Sequence, residues 1–403
     1  MNKDIYLKNN IGPKYFNTKI YEKDKKKINK IINNIFISID SKKDAFHSLS
    51  TKFDFGFKYS DLIKFNKYKS VILIGIGGSA LSAKAIYSFF NEKIKKKFIF
   101  FDNLDQLKIE KNKKKINLEN NLFIIISKSG NTLETLINCN TFKNKINKKN
   151  SIIITEKKTN LLNTFAKKKK ILHINHKDYI GGRYSALSEV AMIPAFFMGL
   201  KVEFIRKNLL DFFKLKEKNL LLDNVIKLAH VYKSKKINSI ILLNYAPEVN
   251  EFLYWCQQLI AESLGKKGNG ILPVVSQAPR DHHSLLQLYL DGPKDKLFYI
   301  FSSKLNKKMS INRNVFGKSF SYLENKDLSE VKEAQKKALI NVLKSKNIPY
   351  QEFIINKKNE ETLGKLFSYF IMETVLIGKM IAINPFDQPS VEQVKILTKK
   401  YLS

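Results

Sequence analysis

At 403 residues with 44% hydrophobic content, the chain is long enough for two domains with their own cores and too apolar for a disordered tail. Its formal net charge of +36 comes almost wholly from lysine, since arginine occurs only at Arg183, Arg206, Arg280 and Arg313. Lysine, asparagine and isoleucine are inflated even where the chain reads as plain loop, as in IEKNKKKINLENN over 109–121. No stripe of arginine and stacking aromatics accompanies the charge, so the lysines read as solvated surface and specific nucleic-acid binding is not expected.

The two cysteines, Cys139 and Cys256, form no disulfide framework and no C-x-x-C pair. The opening residues MNKDIYLKNN lack the apolar core of a secretory signal. The apolar stretch near 190–200 is short and broken by Pro194, so no membrane span is expected. A soluble, cytoplasmic protein fits these features.

In chain order, a basic and mostly helical segment over 1–69 comes first. Short β-branched or aromatic runs follow at 70–75, 98–101, 122–126 and 151–154, with helical patterns at 79–90 and 132–145 between them. Continuous apolar strands alternating with helices predict a mainly parallel sheet covered on both faces, within a unit spanning 70–200. A polar, periodic connection over 201–220 leads to a second unit, 221–383, built on the same plan. Its predicted elements are a helix at 221–235, a strand at 238–244, a helix at 249–264, strands at 270–275, 297–301 and 350–355, and a long helix at 360–383. Residues 384–403 close the chain with a short amphipathic helix.

Six stretches carry chemistry. In VILIGIGGSALSAKAI (71–86) a buried strand runs through Gly75, Gly77 and Gly78 to Ser79 at a helix start, where backbone amides can cradle a phosphate. The spacing is neither a dinucleotide fingerprint nor a Walker loop, and a tight turn with Ser79 as N-cap reads equally well. LFIIISKSGNTLET (122–135) ends a second strand in Ser127, Lys128, Ser129, Gly130 and Thr132, a donor cluster suited to a dianionic phosphate. Lys128 taken alone is one more solvent-facing lysine. Two such loops on one parallel sheet would share its carboxyl edge.

DYIGGRYSALSEVAMIPAFFMGL (178–200) sets the rare Arg183 in a glycine turn, for a planar permanent charge or for a structural ion pair. WCQQLIAESLGKKGNG (255–270) places Gln258 one helical turn before Glu262, which is either a tuned general base or an exposed helix glutamate. APRDHHSLLQLYLDG (278–292) holds His282 and His283 at a helix start, as acid/base or as capping residues. Neither they nor the isolated His173 and His176 have the spacing of a metal site. NPFDQPSVEQVKILTKK (384–400) carries Gln388 and Lys395.

Taken in order, GIGGS, SKSGNT-ET, GGRYS, QQ-x3-ES-x-GK, a histidine followed by SLLQL, and NPFDQP-x-VE-x2-K resemble the glucose-6-phosphate isomerase family from residue 71 to about 400. That resemblance implies two SIS-type (sugar isomerase) α/β domains and interconversion of glucose 6-phosphate and fructose 6-phosphate without metal or organic cofactor. It implies that Gly78, Ser79, Ser127, Lys128, Ser129 and Thr132 hold the phosphate. His283 and Lys395 would open the ring, Glu262 would move the proton, Arg183 would stabilise the enediolate, and Gln258 and Gln388 would hold sugar hydroxyls. It also implies a homodimer whose histidine reaches the partner's pocket. Ser82, Glu189, His282, Ser390 and Val394 depart from the usual pattern beside these positions. Three rivals stand beside this reading: a related isomerase for mannose or amino-sugar phosphates, a non-catalytic sugar-phosphate-binding SIS protein and, most distantly, a lysine-rich nucleic-acid binder.

Overall fold

The computed structural model describes residues 4–16, 18–116, 119–214, 216–304, 309–311 and 315–403, so Arg313 lies outside the described residues. The chain opens with β1 (Ile5–Asn10), α1 (Tyr21–Ser38) and α2 (Tyr59–Ile63). There follow β2 (Ser70–Ile74), α3 (Gly78–Phe89), β3 (Lys97–Phe101), α4 (Gln106–Lys113), β4 (Asn121–Ile126) and α5 (Leu133–Thr141). Next come β5 (Ser151–Thr155), α6 (Leu161–Lys169), β6 (Leu172–Asn175), α7 (Glu189–Phe197) and α8 (Val202–Ile205). The second half holds α9 (Lys216–Ser234), β7 (Ser239–Asn244), α10 (Asn250–Leu264), β8 (Leu272–Gln277), α11 (Arg280–Ser284) and α12 (Leu286–Asp291). It ends with β9 (Lys296–Ser303), α13 (Leu328–Ser345), β10 (Tyr350–Ile355), α14 (Glu360–Met380) and α15 (Glu392–Leu402).

Two five-stranded sheets result. The first runs β3-β2-β4-β5-β6 and is parallel throughout. The second runs β1-β10-β9-β7-β8 and is parallel except for β1, which pairs antiparallel with β10. The period-2 geometry of a strand explains why these runs are apolar without alternation. Val71 and Leu73 of β2 face a central core shared by both halves, while Ile72 and Ile74 face an outer cluster with Phe101, Phe142 and Leu162. β4 divides likewise, with Leu122, Ile124 and Ile126 inward and Phe123 and Ile125 outward. In β7, Ile240 and Leu242 join the central core, and Ile241 and Leu243 join a third cluster under α13.

Helices α3, α7, α10 and α14 fill the central layer, and α14 is buried over nearly its whole surface. That fits an all-round apolar helix. Asn359 caps its start by accepting from the Thr362 amide at 2.9 Å. α3 packs directly against α10, which brings the first sheet's strand ends beside the second half. Among the described residues, no helix is long and apolar enough to cross a membrane.

The first segment is not only helical, because β1 completes the second sheet. Its alternation of buried Ile5 and Leu7 with exposed Tyr6 and Lys8 is that of an edge strand. The lysine-rich stretch expected as loop from 109 begins inside α4, which Asp105 caps through the Lys108 amide and which buries no residue. The helix expected over 132–145 stops at Thr141, and the one expected from 221 starts at Lys216. Both cysteines are free and buried.

Candidate active site

The carboxyl ends of β2 and β4 lie side by side. A Cβ on Gly75, just after β2, would sit 3.0 Å from the Ile126 carbonyl at the end of β4. α3 then starts at Gly78, so Ser79 is its second residue and Gly77, not Ser79, takes the N-cap position. Gly78 has to be glycine, since a Cβ there would meet the Gly182 carbonyl carbon at 2.2 Å and the Arg183 nitrogen at 2.7 Å. The helix start is thus pressed onto the turn that carries Arg183.

After β4, Ser127 is buried and its Oγ lies 2.8 Å from Thr132 Oγ1, while the Gly130 amide donates to Ser127 Oγ at 3.2 Å. Thr132 stands at the N-cap of α5 but makes no side-chain cap, so its hydroxyl stays turned to the loop. Gly130 has φ +68, and a Cβ there would sit 1.8 Å from Asn160 Oδ1, the group that caps α6 through the Asn163 amide at 2.8 Å. Ser129 is exposed, and its Oγ accepts from the Asn131 amide at 3.3 Å. Lys128 is not a free surface lysine. Its Nζ donates to the Asp178 carbonyl at 2.6 Å, which ties this loop to the 178–183 turn. Burial pushes its ammonium below the ordinary value, against the opposing pull of Glu156 and Asp178.

Arg183 is the hub. It is 1% exposed and uses its whole fork. Nε donates to Ser263 Oγ at 2.8 Å and Nη1 to Glu262 Oε1 at 2.9 Å. Nη2 donates to the carbonyls of Pro385 at 2.6 Å and Asp387 at 3.0 Å, and Nη1 also donates to Gln388 Oε1. A lysine could not make this planar set. Glu262 retains 22% side-chain exposure, and its Oε2 accepts from Gln258 Nε2 at 2.9 Å, as the one-turn spacing on α10 allows. Gln258 Oε1 is buried with no hydrogen-bond partner among the described residues, leaving an acceptor for a ligand hydroxyl. The same amide closes on the first loop, because a Cβ on Gly77 would lie 3.0 Å from Gln258 Nε2.

Gly78, Arg183, Gln258, Glu262 and Gln388 therefore converge beside the hydroxyl loops of Ser79, Ser127, Ser129 and Thr132. His283 and Lys395 are not among their contacts. His283 is exposed on α11. Lys395 lies on α15, a helix with no buried residue, and pairs with Glu392 at 2.5 Å. Tyr184 and Ser263 stand inside the GGRYS and ES-x-GK stretches but are given no role there, because a hydroxyl inside a helix or turn has no signature of its own until its distant partners are known. Both are fully buried around Arg183.

Of the departures, Glu189 is buried, pairs with Lys177 and accepts from the Gly56 amide at 2.9 Å. His282 meets Tyr245 Oη at 2.7 Å, and burial lowers its pKa with help from neighbouring His283. Ser82 is buried, whereas Ser390 and Val394 are exposed. Among the described residues, no group of three or more His, Cys, Asp or Glu could hold a metal ion.

Residues 20–403 match the family described as phosphoglucose isomerase. The chain is 33% identical over 368 residues to a probable glucose-6-phosphate isomerase of Methanococcus maripaludis, covering 86% of this chain and 82% of that protein. It is 32% identical over 357 residues to the glucose-6-phosphate isomerase of Methanocaldococcus jannaschii, covering 84% of each. Among solved structures, a hypothetical protein from Thermus thermophilus shares the fold at a TM-score of 0.82 and 23% identity, covering 99% of this chain and 100% of that one. With this span of match and relatives above 30% identity, the chain belongs to the phosphoglucose isomerase family.

Proposed function

We propose that the cleft at the carboxyl edge of the first sheet interconverts glucose 6-phosphate and fructose 6-phosphate, the family's step in glycolysis and gluconeogenesis. The observation that carries this reading is the Arg183–Glu262 pair, at 2.9 Å, set beside two loops of glycine and hydroxyl residues. Ser79, Ser127, Ser129 and Thr132 bind the phosphate, with Gly78 allowing the close approach and Lys128 adding charge and a backbone amide. Anchoring the dianion fixes where the reacting end of the sugar lies. Glu262 transfers the proton between C2 and C1. Arg183 holds a permanent positive charge where the enediolate develops its negative one. Gln258 and Gln388 hold sugar hydroxyls. His283 of the partner subunit and Lys395 open the ring in a homodimer with shared sites.

On the same reading the chain divides into a leading segment 1–69, SIS-type domains at 70–200 and 221–383, a connection at 201–220 and the closing helix segment 384–403. The reading also carries a cytoplasmic location, where charged sugar phosphates are retained.

The test is Glu262→Gln in a coupled assay with glucose, mannose and glucosamine 6-phosphates. Glutamine keeps the size and a hydrogen bond but cannot accept the C2 proton. We expect kcat on glucose 6-phosphate to fall by at least about a hundredfold with KM little changed. More than a tenth of the activity remaining would remove Glu262 from the mechanism, and faster turnover of another sugar phosphate would change the substrate. The shared site has its own test. Glu262→Gln and His283→Ala proteins refolded together give one intact site in each mixed dimer, so about a quarter of wild-type activity returns. Confirmed heterodimers with no recovered activity would place both residues in one chain's site.

A further inference from the structure

Two buried hydroxyls beside Arg183 have no part in the mechanism above, and their hydrogen bonds can be oriented without ambiguity. Arg183 Nε can only donate, and it reaches Ser263 Oγ at 2.8 Å. The Pro385 carbonyl can only accept, and it receives the Tyr184 hydroxyl at 2.8 Å. Ser263 Oγ and Tyr184 Oη lie 2.7 Å apart. With the tyrosine proton committed to Pro385, the serine proton has to point at Tyr184 Oη. The chain therefore runs one way, from Arg183 through Ser263 and Tyr184 to Pro385. It closes into a ring, because Arg183 Nη2 donates to the same Pro385 carbonyl at 2.6 Å. The tyrosine ring also lies under the guanidinium, 5.0 Å from ring centroid to Cζ.

We propose that Tyr184 and Ser263 are positioning residues for the isomerase reaction, holding the Arg183 guanidinium in one plane against Glu262 and the 384–388 turn. This deepens the functional reading above and rests on it. Neither hydroxyl reaches the reacting atoms. Both act by denying the guanidinium a second orientation, since each of its edges is then committed before the sugar arrives. Fully satisfied buried networks of this kind select a single geometry, whereas partly broken ones admit several.

The same turn has a second anchor that does not touch Arg183. Lys266 Nζ donates to the Asn384 carbonyl at 2.6 Å and pairs with Asp387 at 2.7 Å. It separates two explanations, since losing it removes a tie on the turn while leaving every hydrogen-bonding group of the Arg183 ring in place.

The experiment compares Tyr184→Phe, Ser263→Ala, the double variant and Lys266→Met with wild type and Glu262→Gln, each checked for its melting temperature. Tyr184→Phe keeps the ring and its volume, so it folds even if the serine variant does not. We expect Tyr184→Phe and Ser263→Ala each to lower kcat about tenfold with KM within about twofold. The double variant should fall no further than the worse single one, because both hydroxyls act through one guanidinium. Lys266→Met should keep kcat within about threefold of wild type, since its loss leaves the ring intact. Wild-type kcat in Tyr184→Phe, multiplicative losses in the double variant, or an equal loss in Lys266→Met would each overturn the proposal. If Glu262→Gln abolishes turnover while the tyrosine and serine variants stay fully active, only the positioning role falls. If Glu262→Gln itself stays active, the functional reading beneath it falls.

Discussion

β2 leaves the first sheet through Gly75 and Gly77 into α3, whereas β7 leaves the second through Ala246, Pro247 and Glu248 into α10. The two exits are equivalent by position, because β3-β2-β4-β5-β6 in one sheet corresponds to β8-β7-β9-β10-β1 in the other. They differ in what they offer a ligand. The first presents glycines that let backbone approach, flanked by the hydroxyls of Ser127 and Thr132. The second presents a proline, which lacks an amide donor, and the acidic Glu248, which is buried with an Oε1 that has no hydrogen-bond partner among the described residues. That combination is the reverse of an anion site.

The neighbouring polar groups of the second half are consumed internally. Asn244 donates to Gln277 at 3.4 Å, Gln277 donates to Asn250, and Asp281 accepts from the Gln277 amide at 2.7 Å and from Ser276 at 3.0 Å. On the proposed function, a repeated architecture keeps one working strand edge. The second half instead supplies α10 with Gln258 and Glu262 across the shared helical layer. Site chemistry follows the loops and not the sheet order.

The largest expected effect comes from spoiling the close approach that only the first half makes. Gly78→Ala puts a methyl group 2.2 Å from the Gly182 carbonyl carbon, so the Arg183 turn has to move. A displacement near 1 Å in a catalytic site costs about a hundredfold, and kcat should fall at least that far. A Gly78→Ala enzyme with near-wild-type kcat would show that the contact between the two turns is not needed. Next in size, Ser127→Ala with Thr132→Ala removes two phosphate donors and no proton-transfer group. Hydrogen bonds to a charged group are worth about 1.5–3 kcal/mol each, so affinity for a phosphorylated inhibitor such as 6-phosphogluconate should drop at least about a hundredfold. Unaltered affinity in a titration would move the phosphate away from this edge.

The same contrast explains what was legible in the sequence. Strands buried on both faces announce themselves as unbroken apolar runs, and β10 falls on the expected residues 350–355. Edge strands do so unevenly: β3 and β8 overlap the expected runs at 98–101 and 270–275, and the other two edges are not read. β1 (IYLKNN) and β6 (LHIN) are short and half polar, and β6 holds His173, whose Nε2 lies 3.0 Å from the Thr155 carbonyl. α4 was hidden because a helix that buries nothing looks like the lysine-rich background around it. In the site, the glycine and hydroxyl loops and Arg183 could be read because each breaks a local rule: too many glycines, too many hydroxyls, arginine in a lysine-rich chain. The ring through Ser263, Tyr184 and Pro385 could not, although each stands inside one of the family stretches, since its members are separated by about eighty and two hundred residues and no local pattern pairs them.

The smallest effect on turnover, and the sharpest statement about the second half, concerns the polar network inside it. Glu373 of α14 is 1% exposed and has no role in the chemistry proposed above. Asn224 Nδ2 donates to its Oε1 at 2.9 Å, and the Tyr299 hydroxyl approaches Oε2 at 3.3 Å. Asn224 also holds Gln351 and, through Asn9 at 2.6 Å, the strand β1. The titratable groups around it are the buried Tyr232, Tyr299, Tyr369 and Cys256, none of them cationic. Burial pushes the Glu373 carboxyl up from 4.5 to about 8, with the hydrogen bonds from Tyr369, Tyr299 and Asn224 acting the other way. The sign follows from proton counting. Below the ordinary value both folded and unfolded chains hold the proton, and the network contributes fully. Between that value and about 8 the unfolded chain releases the proton while the folded one keeps it, so stability falls as pH rises. The slope is at most about 1.4 kcal/mol per pH unit. Glu373→Gln is neutral at every pH and can still accept from Asn224. Its melting temperature should therefore pull ahead of wild type progressively between pH 5 and pH 8, with kcat at pH 7 unchanged. Parallel melting curves for the two proteins across that range would mean that Glu373 is ionised in the folded core, with a compensating charge close by.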